Sequence, residues 1–244
     1  MRLLGDYHTH TTYTHGKSTV EENVAQAELL GLKEIAITEH SYKGWNHINP
    51  GDLPKIKADI EAIKDKYNVK VLLGIEANLM SENGDIDISD DELKDLDVVV
   101  LGYHKASKYS FSQLFRFAIP NMFRKKPTKS QIERNTMAYI RAMDKHRVNI
   151  LAHLGYAGCA VDCVRLAEEC VKRNIYIELN GKRINFTKED IAGMVATGVK
   201  FIIDSDAHKK ENVGKNSVAF NLIEKYNIPL EQVANVDKLP SFHK

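Results

Sequence analysis

Residues 21–40 read EENVAQAELLGLKEIAITEH, in which a helical pattern runs directly into a run of buried-strand character. Residues 21–30 are amphipathic, and Gly31 can end the helix that they form. Residues 34–38 are short, apolar and β-branched, which is typical of a strand covered on both faces. The stretch therefore predicts one helix-and-strand unit, and His40 ends its strand.

The same alternation of strand and helix continues along all 244 residues. The predicted strands cover residues 3–7, 34–38, 70–75, 98–102, 149–152, 176–179 and 200–203. The helical patterns cover residues 21–30, 52–67, 130–146, 161–173, 187–197 and 217–226. This repetition predicts an α/β protein with a parallel sheet. Periodicity does not separate a closed barrel from an open sheet, but length and strand count favour a seven-stranded, TIM-barrel-like (β/α) barrel, as a single domain over residues 1–244.

Composition and charge narrow the class of protein. The chain is 43% hydrophobic and 27% charged, which is a globular composition. Its 34 basic and 33 acidic side chains give a net charge of +1, so nothing general favours nucleic acid or a membrane surface as a partner. No stretch approaches the roughly 18 apolar residues of a membrane span, and the first residues lack the apolar core of an export signal. We therefore expect a cytoplasmic protein without membrane contact.

Two further segments, a group of cysteines and a long region between strands four and five, are candidates for either a functional or a structural role. Cys159, Cys163 and Cys170 have spacings that predict one buried stripe on a helix, and no CxxC pair accompanies them. Residues 105–129, between strands four and five, are predicted either as a functional loop or as a helical cover of the barrel. This aromatic and basic region contains Phe111, Phe115, Phe117, Pro120, Phe123, Arg124, Lys125, Lys126 and Pro127.

Histidines gather directly after the predicted strands. Seven of the ten lie there, namely His8, His10, His15, His40, His104, His153 and His208. Glu76 ends strand three, and Asp206 lies beside the last of these histidines. Parallel α/β folds build their active sites at the carboxyl ends of the strands, and imidazole with carboxylate suits zinc, manganese or iron. The pattern predicts a metal site at one mouth of the barrel.

Six motifs in order resemble the PHP family (polymerase and histidinol phosphatase domains). They are DYHTH with TYTHG, ITEH, GIEAN, GYH, LAHLG and DSDAH, and they extend from residue 6 to residue 208. The resemblance implies a distorted seven-stranded β/α barrel and hydrolysis of phosphate esters at a trinuclear metal cluster. It points to the compact stand-alone phosphoesterase branch, because the chain is short for the histidinol phosphatase branch.

The resemblance also implies which residues bind the metals. One ion is held by His8, His10, Glu76 and Asp206, a second by Glu76, His104 and His153, and a third by His15, His40 and His208. All nine positions are present, and Glu76 bridges the first two ions. The expected cofactor is therefore a set of three divalent ions of zinc, manganese or iron.

The expected chemistry needs metal ions and a few cationic side chains. Several dications can neutralise phosphate oxygens and activate water, so we expect the nucleophile to be a hydroxide bridging the ions that share Glu76. Arg183 is the best candidate for the other phosphate oxygens, because a guanidinium binds phosphate through two hydrogen bonds, although a solvated loop charge is the alternative. Glu39 and Asp204 either orient imidazoles or are structural. The other candidate substrate contacts are Lys17, Lys105, Lys182 and Asn180.

A phosphomonoesterase acting on a small phosphorylated substrate is the favoured function. One alternative is a nuclease or phosphodiesterase that acts on nucleic-acid ends or nucleotides and uses residues 116–129, and another is histidinol phosphatase. An amidohydrolase-type deaminase or amidase is disfavoured, because strand four ends in His104 rather than in a bridging lysine. A metal-stabilised binding domain is the non-enzymatic alternative, which the complete ligand set opposes.

Overall fold

The computed structural model describes residues 1–123 and 126–243. Seven parallel strands lie side by side in chain order, so the predicted parallel α/β barrel is confirmed. The strands are β1 (Gly5–Asp6), β2 (Glu34–His40), β3 (Lys70–Asn78), β4 (Val98–Gly102), β5 (Ile150–Leu151), β6 (Tyr176–Asn180) and β7 (Phe201–Asp204).

Helices cover the outside of the sheet. They are α1 (Val20–Leu29), α2 (Asp52–Ile63), α3 (Asp90–Leu93), α4 (Phe111–Gln113), α5 (Ile119–Phe123), α6 (Lys129–Lys145), α7 (Cys163–Arg173), α8 (Lys188–Thr197) and α9 (Ser217–Tyr226). A π-helical segment, Leu114–Ala118, joins α4 to α5, and short 3₁₀ turns lie at Tyr156–Gly158, Lys210–Asn212 and Leu230–Gln232. None of these helices is long and apolar enough to cross a membrane.

The barrel nearly closes between β1 and β7 through loop backbone and one buried side chain. Beyond the strand ends, the His10 amide donates to the Ala207 carbonyl oxygen at 2.8 Å. Lower down, the Asn235 side-chain amide donates to the carbonyl oxygens of Gly5 and Ile203. A side chain thus replaces ladder hydrogen bonds at the seam, which distorts the barrel while leaving these backbone groups satisfied.

The barrel interior is apolar at its amino-terminal end. Tyr7 and Tyr176 are buried there, and the Phe242 ring packs edge-on against them with centroids 5.0 and 5.8 Å away. The C-terminal segment therefore plugs this end.

The structure revises several predicted boundaries. β2 runs two residues further than predicted, because its parallel register with β3 continues until His40 pairs with Glu76. β3 runs three residues further, because Ala77 and Asn78 pair with β4. β1 is shorter than predicted, since the Tyr7 amide donates to a side chain, Asp204 Oδ1, at 2.7 Å. The prediction that all three cysteines lie on one helix was wrong for Cys159, which precedes α7. All three thiols are nevertheless buried.

Residues 111–123 are helical, which agrees with the interpretation of this region as a cover on the barrel. Phe117 is buried and packs edge-on against Tyr103, with ring centroids 5.6 Å apart. Phe111, Phe115 and Phe123 are exposed. Arg124 and Lys125, which belong to the predicted basic segment, lie outside the described residues.

Candidate active site

The nine predicted ligand residues meet at the carboxyl-terminal mouth of the barrel. We call them the nine-residue cluster. Glu76, at the end of β3, is central and fully buried. Its Oε2 lies 2.7 Å from His40 Nδ1, and its Oε1 lies 2.8 Å from His153 Nε2. The other imidazole nitrogens near this carboxylate belong to His8 at 3.3 Å, His10 at 3.4 Å and His104 at 3.2 Å.

The remaining three residues form the opposite side of the cluster. Asp206 Oδ1 lies 3.5 Å from His10 Nε2 and 3.3 Å from His208 Nδ1. The ring of His15 lies 4.1 Å from that of His208 and 5.0 Å from that of His40, centroid to centroid. The loop after β1 therefore directs His15 toward the cluster, where it is the most exposed member.

Several buried atoms of the cluster lack hydrogen-bond partners among the described residues. They are His8 Nε2, both ring nitrogens of His10, and Glu76 Oε2, whose 2.7 Å contact with His40 Nδ1 does not have the geometry of a hydrogen bond. Burying a polar atom without a partner costs free energy, and each unsatisfied atom calls for a missing group. Imidazole nitrogens that face one carboxylate at 3.3–3.4 Å fit a cation placed among them. The residues present therefore fit divalent metal ions.

Three groups of ligand atoms lie close enough to share an ion. They are His8 with His10 and Glu76, His40 with Glu76 and His104, and His10 with His40 and His208. The first group falls within one ligand set implied by the family resemblance, and each of the others shares two residues with a further implied set. Glu76 belongs to two of the groups, which suits a bridging carboxylate.

The charges in the cluster depend on one another. Burial alone would raise the pKa of Glu76, but His104, His8 and His40 hold it well below its usual value. Burial would lower the pKa of His8, but Glu76 and Glu178 raise it well above its usual value. Burial and then His208 lower the pKa of His15 to about 4. The carboxylate thus stays ionised, and metal ions would displace protons when they bind.

Glu178, a buried residue of β6, holds two of the histidines in place. His8 Nδ1 donates to Glu178 Oε1 at 2.7 Å, and the His153 amide donates to Oε2 at 2.7 Å. With Nδ1 protonated, His8 turns its Nε2 toward Glu76. Glu178 was not among the residues predicted from the sequence, although a carboxylate within the apolar strand YIELN was a usable signal.

Asn78 holds His104 in the same way. Asp87 accepts from the Asn78 backbone amide at 2.8 Å and from its Nδ2 at 2.5 Å. Because an ionised carboxylate only accepts, Asn78 must present its Oδ1 to His104 Nδ1, 2.5 Å away. His104 therefore keeps Nε2 free to face Glu76, as is usual for metal-binding histidines. Asn78 and Asp87 were also missed.

Gly102, at the end of β4, leaves the space in which Glu76 and His153 meet. A Cβ at this position would lie 2.6 Å from His153 Cε1 and 3.0 Å from Glu76 Oε1. His153 and Asp206 have φ values of +32° and +49°, in the left-handed region that is costly for residues other than glycine. Such strain persists only where the surroundings fix it, and here it turns both side chains into the mouth.

The two candidate orienting carboxylates differ in their surroundings. Glu39 accepts from the Thr11 amide at 2.6 Å and lies 3.9 Å from His10 Nδ1, so it supports the loop that carries the histidines. Asp204 accepts from the Tyr7 amide and contacts no imidazole in the described part of the chain. Burial and the adjacent Asp6 raise its pKa. Asp204 therefore has a structural role, which is to join β1 to β7.

Cationic side chains border an open depression of about 270 Å³ above the cluster. Arg183 lines it with its guanidinium stacked on the ring of Tyr156, 4.8 Å from the centroid. Lys182 Nζ lies 3.3 Å from Asp206 Oδ2. Asn180 Oδ1 accepts from the amides of both cationic residues, so it orders their loop. Lys17 is exposed and is not among the lining residues.

A parallel barrel with imidazoles and carboxylates converging at its carboxyl mouth has the fold and the ligands of a metal-dependent enzyme. The model of the PHP domain family matches residues 6–182. A probable phosphatase of Caldanaerobacter subterraneus subsp. tengcongensis is 33% identical over 99% of this chain and 91% of its own length. A probable phosphatase of Shewanella frigidimarina is 30% identical over 96% of this chain and 90% of its own length. The chain belongs to the PHP domain family and is a metal-dependent phosphatase.

The fold also matches a solved structure of the same size. The histidinol phosphate phosphatase of Lactococcus lactis subsp. lactis, complexed with zinc, L-histidinol and phosphate, has a TM-score of 0.63 at 16% identity. The match covers 99% of this chain and 97% of that chain. The expectation that this chain is short for a histidinol phosphatase is therefore wrong for that enzyme, and length does not separate the two.

Proposed function

We propose that the protein hydrolyses phosphate monoesters of small alcohols at a centre of three divalent metal ions. The observation that carries the proposal is the set of buried nitrogen and oxygen atoms around Glu76 that have no hydrogen-bond partner among the described residues. Nine potential ligand residues exceed what one ion accommodates, since zinc takes about four ligands. Zinc, manganese and iron all suit imidazole with carboxylate.

The proposed ligand sets are those that the family resemblance implies. One ion would be held by His8, His10, Glu76 and Asp206, one by Glu76, His104 and His153, and one by His15, His40 and His208. When bound, the ions supply positive charge that neutralises phosphate oxygens and lowers the pKa of water. Glu178 and Asn78 keep their histidines in the tautomer that leaves Nε2 free.

Arg183 would bind the phosphate oxygens that face away from the cluster. Its guanidinium has no carboxylate within 4 Å in the described part of the chain, and the Tyr156 ring holds it over the depression. Lys182 is already engaged with Asp206 and His208, so it balances charge at the rim. The depression admits a compact ester, which favours a small substrate over a polymer.

Phosphate release from a substrate panel tests the proposed function. Protein reconstituted separately with zinc, manganese and iron should release phosphate from at least one small monoester, and the panel should include histidinol phosphate, sugar phosphates and nucleotides. Short oligonucleotides belong in the same panel. If every monoester is inert with all metals while oligonucleotides are cleaved, the protein is a nuclease instead.

We expect Arg183→Ala to lower kcat/KM on small monoesters by about ten- to a hundredfold, because a charge-assisted contact contributes about 1.5–3 kcal/mol. Metal content, measured by elemental analysis, should not change. Arg141→Ala is a matched control, since Arg141 is an exposed arginine bonded to the Glu82 carbonyl oxygen on the outside of the barrel. If Arg183→Ala kept full activity on every substrate, Arg183 would not bind phosphate, and the alternative interpretation as a solvated loop charge would hold.

We expect Glu178→Gln to weaken metal binding about ten- to a hundredfold, which is typical when the partner of a metal-binding histidine is changed. The new amide cannot accept from both His8 and the His153 backbone while it keeps its own donors satisfied. Metal affinity can be measured by competition with a chromogenic chelator. Glu34→Gln is the control, because Glu34 is a buried strand carboxylate bonded to Tyr7 at the far end of the barrel. Equal affinity in both variants would contradict the orienting role.

A further inference from the structure

A groove of unpaired positive charge leads away from the nine-residue cluster. It lies between the loops that follow β4, β5 and β6, and it opens into the central depression because His104, Tyr156 and Arg183 line both. Its other polar lining residues are Lys105 and Asn185, and none of the described acidic side chains lines it. We call it the basic groove.

The cations of this groove have no ion-pair partner in the part of the chain that the structure describes. Neither Lys105 nor Arg183 has a carboxylate within 4 Å, or a side-chain hydrogen bond, among residues 1–123 and 126–243. The neighbouring Lys182, in contrast, is paired with Asp206. Two like charges in one groove repel each other, and an anion bound between them offsets this repulsion.

The shape of the groove places Lys105 beside the path to the cluster. The β5 loop contributes only small residues, Gly155, Ala157 and Gly158, around Tyr156. A Cβ at Gly158 would lie 3.7 Å from Lys105 Cε, so the lysine stem passes close to this glycine, and Lys105 is exposed. Lys105 lines this groove but not the central depression, whereas Arg183 lines both.

We propose that the basic groove binds a second anionic group, a carboxylate or a phosphate, on the alcohol of the substrate. The inference rests on the proposed function, in which the scissile phosphate occupies the cluster and Arg183 contacts it. Lys105 then binds the leaving group and determines specificity. A cationic alcohol such as histidinol fits this groove poorly, because its charge has the same sign as that of Lys105 and Arg183.

Binding of non-hydrolysable phosphonates to the metal-loaded protein tests the inference without turnover. Propylphosphonate, 3-aminopropylphosphonate and 3-phosphonopropanoate share a chain length and differ in terminal charge. Isothermal titration calorimetry should show 3-phosphonopropanoate binding about tenfold more tightly than propylphosphonate, and the amine more weakly than either. Propane-1,3-diylbisphosphonate distinguishes phosphate from carboxylate as the preferred second anion. The preference should shrink as salt is added, because both cations are exposed.

Variants of Lys105 assign the effect to the groove. Lys105→Met should reduce the preference for the anion to about threefold or less, and Lys105→Arg should retain it. Lys43→Met is the matched control, since Lys43 is an exposed lysine on the loop after β2 that does not line the groove. If the wild type does not discriminate, or if Lys105→Met keeps the full preference because the carboxylate binds metal, the inference is wrong. Hydrolysis of ethyl phosphate, measured separately, reports on the proposed function alone.

Discussion

Glu76→Gln should lose roughly a thousandfold or more in kcat, since about 4 kcal/mol of charge stabilisation corresponds to three factors of ten. The substitution keeps the size of the side chain but removes the negative charge on which five imidazoles converge. It also replaces one oxygen with an amide group that cannot bind a cation. Steady-state phosphate release and elemental analysis of the same sample measure both effects.

The controls for this variant separate charge from folding. Glu34→Gln removes a buried strand carboxylate at the opposite end of the barrel and should keep both metal content and activity. Circular dichroism should show that Glu76→Gln retains the barrel. If the Glu76→Gln protein kept the full complement of metal and normal activity, Glu76 would not be the central metal ligand of the site.

Removal of the metal ions should abolish activity and also destabilise the fold. A ligand present at a hundred times its Kd stabilises the native state by about 2.7 kcal/mol, which for a chain of this size corresponds to a Tm change of about 5–10 °C. Without cations, three buried atoms are left without a partner among the described residues, which costs free energy. They are His8 Nε2, His10 Nε2 and Glu76 Oε2. Dialysis against a chelator, followed by activity assays and thermal unfolding, measures both losses.

Re-addition of metal provides the control for chelation. Zinc or manganese added back to the dialysed protein should restore activity and Tm together, because one event accounts for both. The Tm of Glu76→Gln should change much less on chelation than that of the wild type. Activity that survives exhaustive chelation would contradict a metal-dependent mechanism for this chain.

Much of the fold could be predicted from sequence, because buried parallel strands are continuous apolar runs and each is followed by a helical pattern. The placement of the histidines followed from the same reasoning, since carboxyl ends of parallel strands share one edge. The length of β1 could not be predicted, because Asp204 and Asn235 replace backbone partners there and both come from distant parts of the chain.

The supporting residues were harder to predict than the cluster itself. Asn78 lies two residues after Glu76, yet its role depends on Asp87, which belongs to the loop that follows β3. Gly102 matters only because His153 and Glu76 meet against it, and no local pattern indicates that contact. Tyr156 holds Arg183 through a ring contact between the loops after β5 and β6. Such contacts arise from three-dimensional packing of separate loops.

The number of metal ions per chain is the most direct test of the proposed centre. Protein freed of metal, reconstituted with zinc, manganese or iron and passed through a desalting column should retain two to three equivalents by elemental analysis, because seven histidines surround Glu76 and Asp206 at one mouth. Glu34→Gln should retain the same number. One equivalent or fewer in the wild type, with every metal tried, would contradict a multinuclear centre.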